Sequence, residues 1–425
     1  MYSSKKVNQI KYKSEYNLNL KFRYFKEFLF RNFGNLSLIF IVAMLVIMIT
    51  AISSKGYKAF SITKIALEVD ISPINDSDEA KEKYNSGDFR ININNALDDY
   101  FEEEIKKENI DKRAIYELVS KNAVVEINQQ LRRNKDLYNK KSLFWLSVAS
   151  KVDLFYKHQN LSQLSNSQLR LLTKFMKDEK INRFFNGNFF YNGDSRSPEI
   201  AGIFSGLLGS IMISAIFLLI SFPVAIMAAF YLEEFAPKNR FTDIIEISIN
   251  NLAAIPSITF GLLGLILFVQ IFDIPRASSL VAGMTLSMLI MPIIVISTRN
   301  TIRSIPKSIR DAAIGLGASR TQLALHHLLP LSMPGIMTGT ILAISRAIGE
   351  TAPLLMIGMI AFVVDMPKDF LEPSTALPVQ IYLWSDSPEI GFAEKTAGAI
   401  MVLIALLIAL NLTAIILRKK FTKKW

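Results

Sequence analysis

Two side chains in the apolar carboxyl-terminal half have types and spacing that could do chemistry. Arg346 and Glu350 stand four residues apart in the run Ser345-Arg346-Ala347-Ile348-Gly349-Glu350-Thr351-Ala352-Pro353-Leu354-Leu355. That spacing puts both on one helix face, where they can pair. Counted from Ile336, Arg346 lies about ten residues into its apolar segment, roughly 15 Å along a helix and near the centre of a bilayer. A charge at that depth costs about 2.5–3.5 kcal/mol on insertion scales, so the pair must face protein or an aqueous path. A planar guanidinium offers paired donors to an oxyanion, which makes Arg346 a candidate anion contact. Glu350 would hold it and keep an empty path from trapping the anion. The alternative is an ion pair that only fixes helix packing. Arg299, at the end of the preceding apolar segment, is another candidate contact, although a basic residue there also serves as a positive-inside anchor. Ser257, next to the kinking Pro256, is a further one.

The rest of the sequence narrows the chemistry by what it lacks. No glycine-rich run ending in lysine and a hydroxyl occurs, so the chain is not expected to hydrolyse ATP or to be an enzyme. There are no cysteines, and three histidines, two of them adjacent at His326 and His327, make no metal site. No bound cofactor is expected. A net charge of +11 could fit nucleic acid, but the basic residues flank apolar runs, the pattern that orients membrane helices, so nucleic acid is not a partner.

The elements that must position these residues follow from the segregation of a 51% hydrophobic chain of 425 residues. Residues 1–35 form a basic tail, and Leu36 to Ile52 an uncharged run just long enough to cross a bilayer core, read as a retained anchor. Residues 53–198 are rich in Lys, Glu, Asp and Asn, a mixed α/β soluble domain. Alternation over Ala59 to Ile74 predicts a strand, and helix spacing covers Ala96 to Leu131 and Ser162 to Phe175. Within 199–417 lie five apolar spans: Ile200 to Leu232, Leu252 to Phe272, Ala277 to Ser297, Ile336 to Val364 and Ala397 to Leu417. A basic tail, 418–425, closes the chain. Basic residues follow the second, fourth and sixth spans, so the reading is a multi-pass protein with both termini cytoplasmic and residues 53–198 outside.

The segment 299–335 is too long and patterned for a mere connection. Ser308 with Asp311 fits a helix start, Gly315 and Gly317 a close turn, and Thr321 to Leu329 a second short helix stopped by Pro330. A helical hairpin projecting into the cytoplasm is expected.

Asp311-Ala312-Ala313, three residues, Gly317, nine residues, His327, one residue and Leu329-Pro330 resemble the cytoplasmic loop of ABC importer permeases. In that family the loop begins with glutamate and two alanines and ends in isoleucine, any residue, leucine and proline. Asp311 and His327 depart from the pattern. The resemblance implies an ATPase-coupling role for Asp311, Ala312, Ala313, Gly317, His327, Leu329 and Pro330. The Ser345 to Leu355 string, with Tyr231-Leu232-Glu233-Glu234-Phe235-Ala236, Ile255-Pro256-Ser257 and Phe260-Gly261, is similar to the A-type permeases of phosphate importers. It covers the chain from Pro198 onward. The fold implied is an all-α membrane protein of six transmembrane helices in the type I ABC importer permease architecture, carrying an inserted mixed α/β extracytoplasmic domain. The partners implied are a second, C-type permease subunit, an ATPase subunit dimer that uses ATP and Mg, an extracytoplasmic phosphate-binding protein and the lipid bilayer of a bacterial inner (plasma) membrane. Three other readings compete. A permease for molybdate or sulfate would share most of these features, a secondary transporter or channel would need no docking loop, and a membrane sensor would need an output domain.

Overall fold

The computed structural model describes residues 3–72, 88–108, 110–137, 140–158, 164–359 and 362–421. The chain divides into two units, Met1–Lys55 and Gly56–Trp425. The first is helix α1 (Ser3–Gly56), in which the basic stretch and the apolar stretch form one continuous helix. Its apolar part, including Leu38, Phe40, Ile41 and Ile47, is exposed along its length, as a lipid-facing helix requires.

The second unit begins with the inserted domain. Strand β1 (Ser61–Asp70) is central to a three-stranded antiparallel sheet in the order β2-β1-β3, with β2 at Lys141–Ser147 and β3 at Ile181–Phe185. The expected strand is present but ends before Ile74, which lies outside the described residues. The register sets Leu67 opposite Phe144 and Ile65 opposite Leu146 and Ile181. Helix spacing over Ala96 to Leu131 is not one helix. It resolves into α2 (Arg90–Tyr100), α3 (Glu102–Glu108), α4 (Lys112–Tyr116) and α5 (Ala123–Arg133). Asp111 starts α4 by accepting from the Arg113 N–H, and Val119 then bridges to Val148, pulling the chain back to the sheet. Two more helices follow, α6 (Ser150–His158) and α7 (Asn166–Lys177), the latter opened by a Ser165–Gln168 capping box. Phe175 and Phe101 meet edge to face at 5.2 Å in the core, with Tyr100 stacked on Phe175. Buried Glu126 accepts from Lys64 at 2.7 Å and from the Ser147 N–H and hydroxyl, so its charge is compensated.

This domain is packed onto the last helix, α15 (Gly391–Phe421), and the loops beside it. Lys157, buried, donates to Asp153, to the Ser61 carbonyl and to Glu394 at 3.2 Å. Lys395, also buried, donates to the Ala201 carbonyl. A side chain at Gly398 would press on Ala59, and one at Gly391 on Ser150 and Pro198, so glycines permit the close approach. Asp194 accepts from the Trp384 indole and the Ser195 N–H; burial still raises its carboxyl above the usual range.

The remaining helices form the membrane core: α8 (Phe204–Phe230), α9 (Arg240–Ala254), α10 (Ser257–Gly264), α11 (Ser279–Ser304), α12 (Lys307–Gly315), α13 (Leu329–Gly349) and α14 (Leu377–Ser385), with α15. Among the described residues five helices are long and apolar enough to cross a membrane, six if α9 and α10 with its π extension count as one. That pair includes the span expected over Leu252 to Phe272, with the kink expected at Pro256. It bends by 103° at Pro256, which has no N–H to donate and holds Ile255 in extended conformation. Pro223, by contrast, is carried inside α8.

The span expected from Ile336 to Val364 is also redrawn. A helical run starts at Arg320, passes through a π turn at Leu323–Leu328 and continues as α13 to Gly349. Glu350 is extended, and Ala352–Met356 forms a separate short turn.

Candidate functional site

Helices α11 and α13 lie side by side because α13 carries glycines where they touch. A Cβ at Gly339 would strike Ser297, and one at Gly335 would strike Thr301. Their outer faces frame an open groove of about 800 Å³ whose polar lining is Ser297, Asn300, Thr301, Ser304, Thr338 and Arg346. Thr301, Ser304 and Thr338 donate their hydroxyl hydrogens to carbonyls of their own helices at 2.7–2.8 Å, so Arg346 is the charged donor on an otherwise neutral wall.

Arg346 stands in the last turn of α13, three residues from its end, so the sequence estimate of ten residues from the start loses its premise. Its Nε donates to Glu350 Oε1 at 3.4 Å. Both belong to the predicted four-residue pair, but Glu350 lies just past the helix, not on it. The side chains are 44% and 21% exposed, and the contact is long. A cation in the final turn also meets the negative end of the helix dipole. The string Ala352 to Leu355 is held against the third span: a Cβ at Gly261 would lie 2.7 Å from Pro353 Cα. Two sequence pieces read separately therefore meet in space.

Arg299 is placed differently. It is 6% exposed and donates to Glu233 at 3.1 Å and to Glu246 at 2.7 Å. Arg303, one turn on, reaches the same two carboxylates at 2.7 and 3.1 Å. Glu233 and Glu234 sit on a π turn, Tyr231–Phe235, and Glu234 accepts from Arg310 of α12 at 3.0 Å. Arg299 therefore has two carboxylates in place of an anion. The sequence carries a signal for this cluster, adjacent acids after one span and arginines one turn apart after another, although the acids read there as part of a motif and Arg299 as an anion contact or positive-inside anchor. Ser257, half-buried, opens α10 at the sharp bend and is not in the groove.

The hairpin keeps its outline and changes in detail. Helix α12 is preceded by Pro306, and no Ser308 side-chain cap forms. Gly317, at φ +88°, makes the turn, in a conformation that favours glycine. Ser319, with Gln322, caps the returning arm. Pro330 does not stop that arm: the π turn before it relieves the ring's clash with the preceding turn, and buried Leu323, Ala324 and Leu328 carry the helix into α13. Ala313 is buried inward and Leu329 is half-buried, whereas Asp311, Ala312, His327 and Pro330 are exposed. Ile314, Leu316 and Leu325 add an exposed apolar surface at 54%, 89% and 55%.

Residues 221–425 match the family described as the binding-protein-dependent transport system inner membrane component, and residues 17–166 match a domain of unknown function, DUF3333. A probable ABC transporter permease protein, YqgI, of Bacillus subtilis is 32% identical over 52% of this chain and 80% of its own length. The phosphate transport system permease protein PstA of Yersinia pestis is 31% identical over 52% and 75%, and that of Haemophilus influenzae 34% over 45% and 66%. A solved structure, described as inward facing conformations of the MetNI methionine ABC transporter, aligns at TM-score 0.40 and 17% identity, covering 52% of this chain and 95% of that one. The chain belongs to the binding-protein-dependent transport permease family: it is the permease component of an ABC importer and a multi-pass inner-membrane protein. Within that family its relationship is to the A-type, or PstA, permeases, with DUF3333 as the additional amino-terminal domain.

Proposed function

We propose that this chain is one of two permease halves of an ATP-driven importer of inorganic phosphate. The observation that carries the reading is Arg346, loosely held by Glu350 at the end of a polar groove. A guanidinium with one long contact can exchange its carboxylate for a phosphate oxygen at little cost. Relatives whose names assign them to phosphate transport support the choice of anion. A C-type permease would close the groove from the other side.

The hairpin supplies the coupling. Ala312 with exposed Ile314, Leu316 and Leu325 is a compact apolar surface suited to a groove on an ATPase subunit, and Asp311 and His327 flank it. Arg310 and Glu234 tie this surface to the end of α8, so docking forces reach the spans through charge-assisted bonds. The ATPase dimer uses ATP and Mg, and its closure biases the path between inward and outward access by differential contact with the hairpin. An extracytoplasmic binding protein delivers phosphate. The basic residues place both termini in the cytoplasm and the inserted domain outside.

The test is uptake by vesicles containing the complete assembly. ATP-dependent accumulation of labelled phosphate, undiminished by excess molybdate or sulfate, is expected. Accumulation of another oxyanion in its place would reassign the substrate, and uptake without ATP would remove the coupling.

A further inference from the structure

A second cavity, of about 570 Å³, lies at the seam between the inserted domain and the permease core, far in sequence from the Arg346 groove. Its wall carries five cations, Arg90, Arg113, Lys121, Lys151 and Arg196. Three carboxylates also line it, and two are already engaged. Glu117 pairs with Arg113 at 3.4 Å, and Glu199 accepts from the N–H and hydroxyl of Ser150, each at 2.6 Å. Glu389 is the third. Arg90, Lys121, Lys151 and Arg196 make no ion pair with any described residue.

Asp88 accepts from the Arg90 N–H at the start of α2, and Ser150 and Lys151 open α6, whose first turn carries Asp153. Glu199 shows that the start of α6 seats an oxyanion, because the protein places one of its own there. Gln168, 9% exposed, spends Oε1 on the Ser165 N–H. Arg90, Lys121, Lys151 and Arg196, all exposed to water and Arg196 over the Phe362 ring, line one cavity, and an anion with several acceptor oxygens would reduce their mutual repulsion.

We infer that this cavity is a binding site for a phosphate-type oxyanion, held by Arg90, Lys121, Lys151 and Arg196 where the inserted domain meets the permease. It gives the inserted domain a role as an anion-capturing vestibule, separate from the path past Arg346. The inference rests on the phosphate-import reading for the identity of the anion, and on the cavity for its existence. The volume takes inorganic phosphate with its waters or a small phosphomonoester.

The experiment is equilibrium binding of radiolabelled inorganic phosphate to the full chain in dodecyl maltoside, at several salt concentrations. Wild type is expected to bind with affinity falling as salt rises. The double variant Lys121→Gln/Lys151→Gln is expected to bind about tenfold more weakly or worse, since each lost bond to a charged group is worth about 1.5–3 kcal/mol. Both lysines are exposed, and Lys121→Arg/Lys151→Arg should restore binding, which excludes misfolding as the cause. Displacement by glycerol 3-phosphate at equal concentration would identify an organic phosphate as the occupant, and resistance to it inorganic phosphate. Equal binding by wild type and the glutamine double variant would overturn the site. If the cavity binds phosphate while the vesicles import another anion, the transport reading fails and the site stands.

Discussion

Two arginines at the ends of neighbouring helices, Arg299 on α11 and Arg346 on α13, have the same chemistry and opposite circumstances. Arg299 is buried and bonded to two carboxylates, which Arg303 also holds, while Arg346 is nearly half exposed with one carboxylate at 3.4 Å. Desolvating a guanidinium is tolerable only when its partners are fixed, so buried Arg299 cannot exchange Glu233 and Glu246 for a passing anion without losing two charge-assisted bonds. Arg346 strands only Glu350, itself close to water. The difference separates a residue that holds the fold from one that can meet substrate, although both carry the same charge in the same kind of sequence.

The comparison can be broken by mutation. Arg299→Ala should cost the most, about 3 kcal/mol, because it removes two charge-assisted hydrogen bonds and leaves half-buried Glu233 and Glu246 to Arg303 alone; thermal unfolding of the detergent-solubilised chain reads this as a large fall in Tm. A shift no larger than that of a surface substitution would place Arg299 among exchangeable groups. Next comes Gly339→Ala, expected to destabilise by about 1–3 kcal/mol because its methyl meets Ser297. Ser297→Gly should return most of that loss in the double variant, and independent effects would mean that α11 and α13 do not share this contact. Smallest in stability is Glu350→Gln, about 0–1 kcal/mol for an exposed pair. Its effect should show in transport, as slower release of a phosphate no longer displaced by the carboxylate. Unchanged single-turnover kinetics would contradict that role.

The sequence disclosed local relations and hid distant ones. Arg346 and Glu350 are four residues apart, and a four-residue spacing can be read directly. Arg299 finds its carboxylates in another pair of elements, Glu233 on a π turn and Glu246 on α9, and no periodicity within one segment points there. Pro256 is legible as a kink, but the size of the bend, 103°, is not. Pro330 was misread as a stop, because a helix breaker in isolation is outweighed by Leu323, Ala324 and Leu328 buried against Phe230 and Ile302. In the inserted domain, alternation from Ile62 to Ile71 revealed a strand, while the anion cavity draws on residues from Arg90 to Glu389 that only the fold assembles.

The most direct test of the central claim is phosphate uptake by ATP-loaded vesicles containing the complete assembly, comparing wild type with Arg346→Gln. The account predicts that the variant assembles with its partner subunits, unfolds at nearly the wild-type temperature and loses ATP-dependent phosphate uptake. A variant that transports phosphate at the wild-type rate would contradict it, and would leave Arg346 as a packing residue like Arg299.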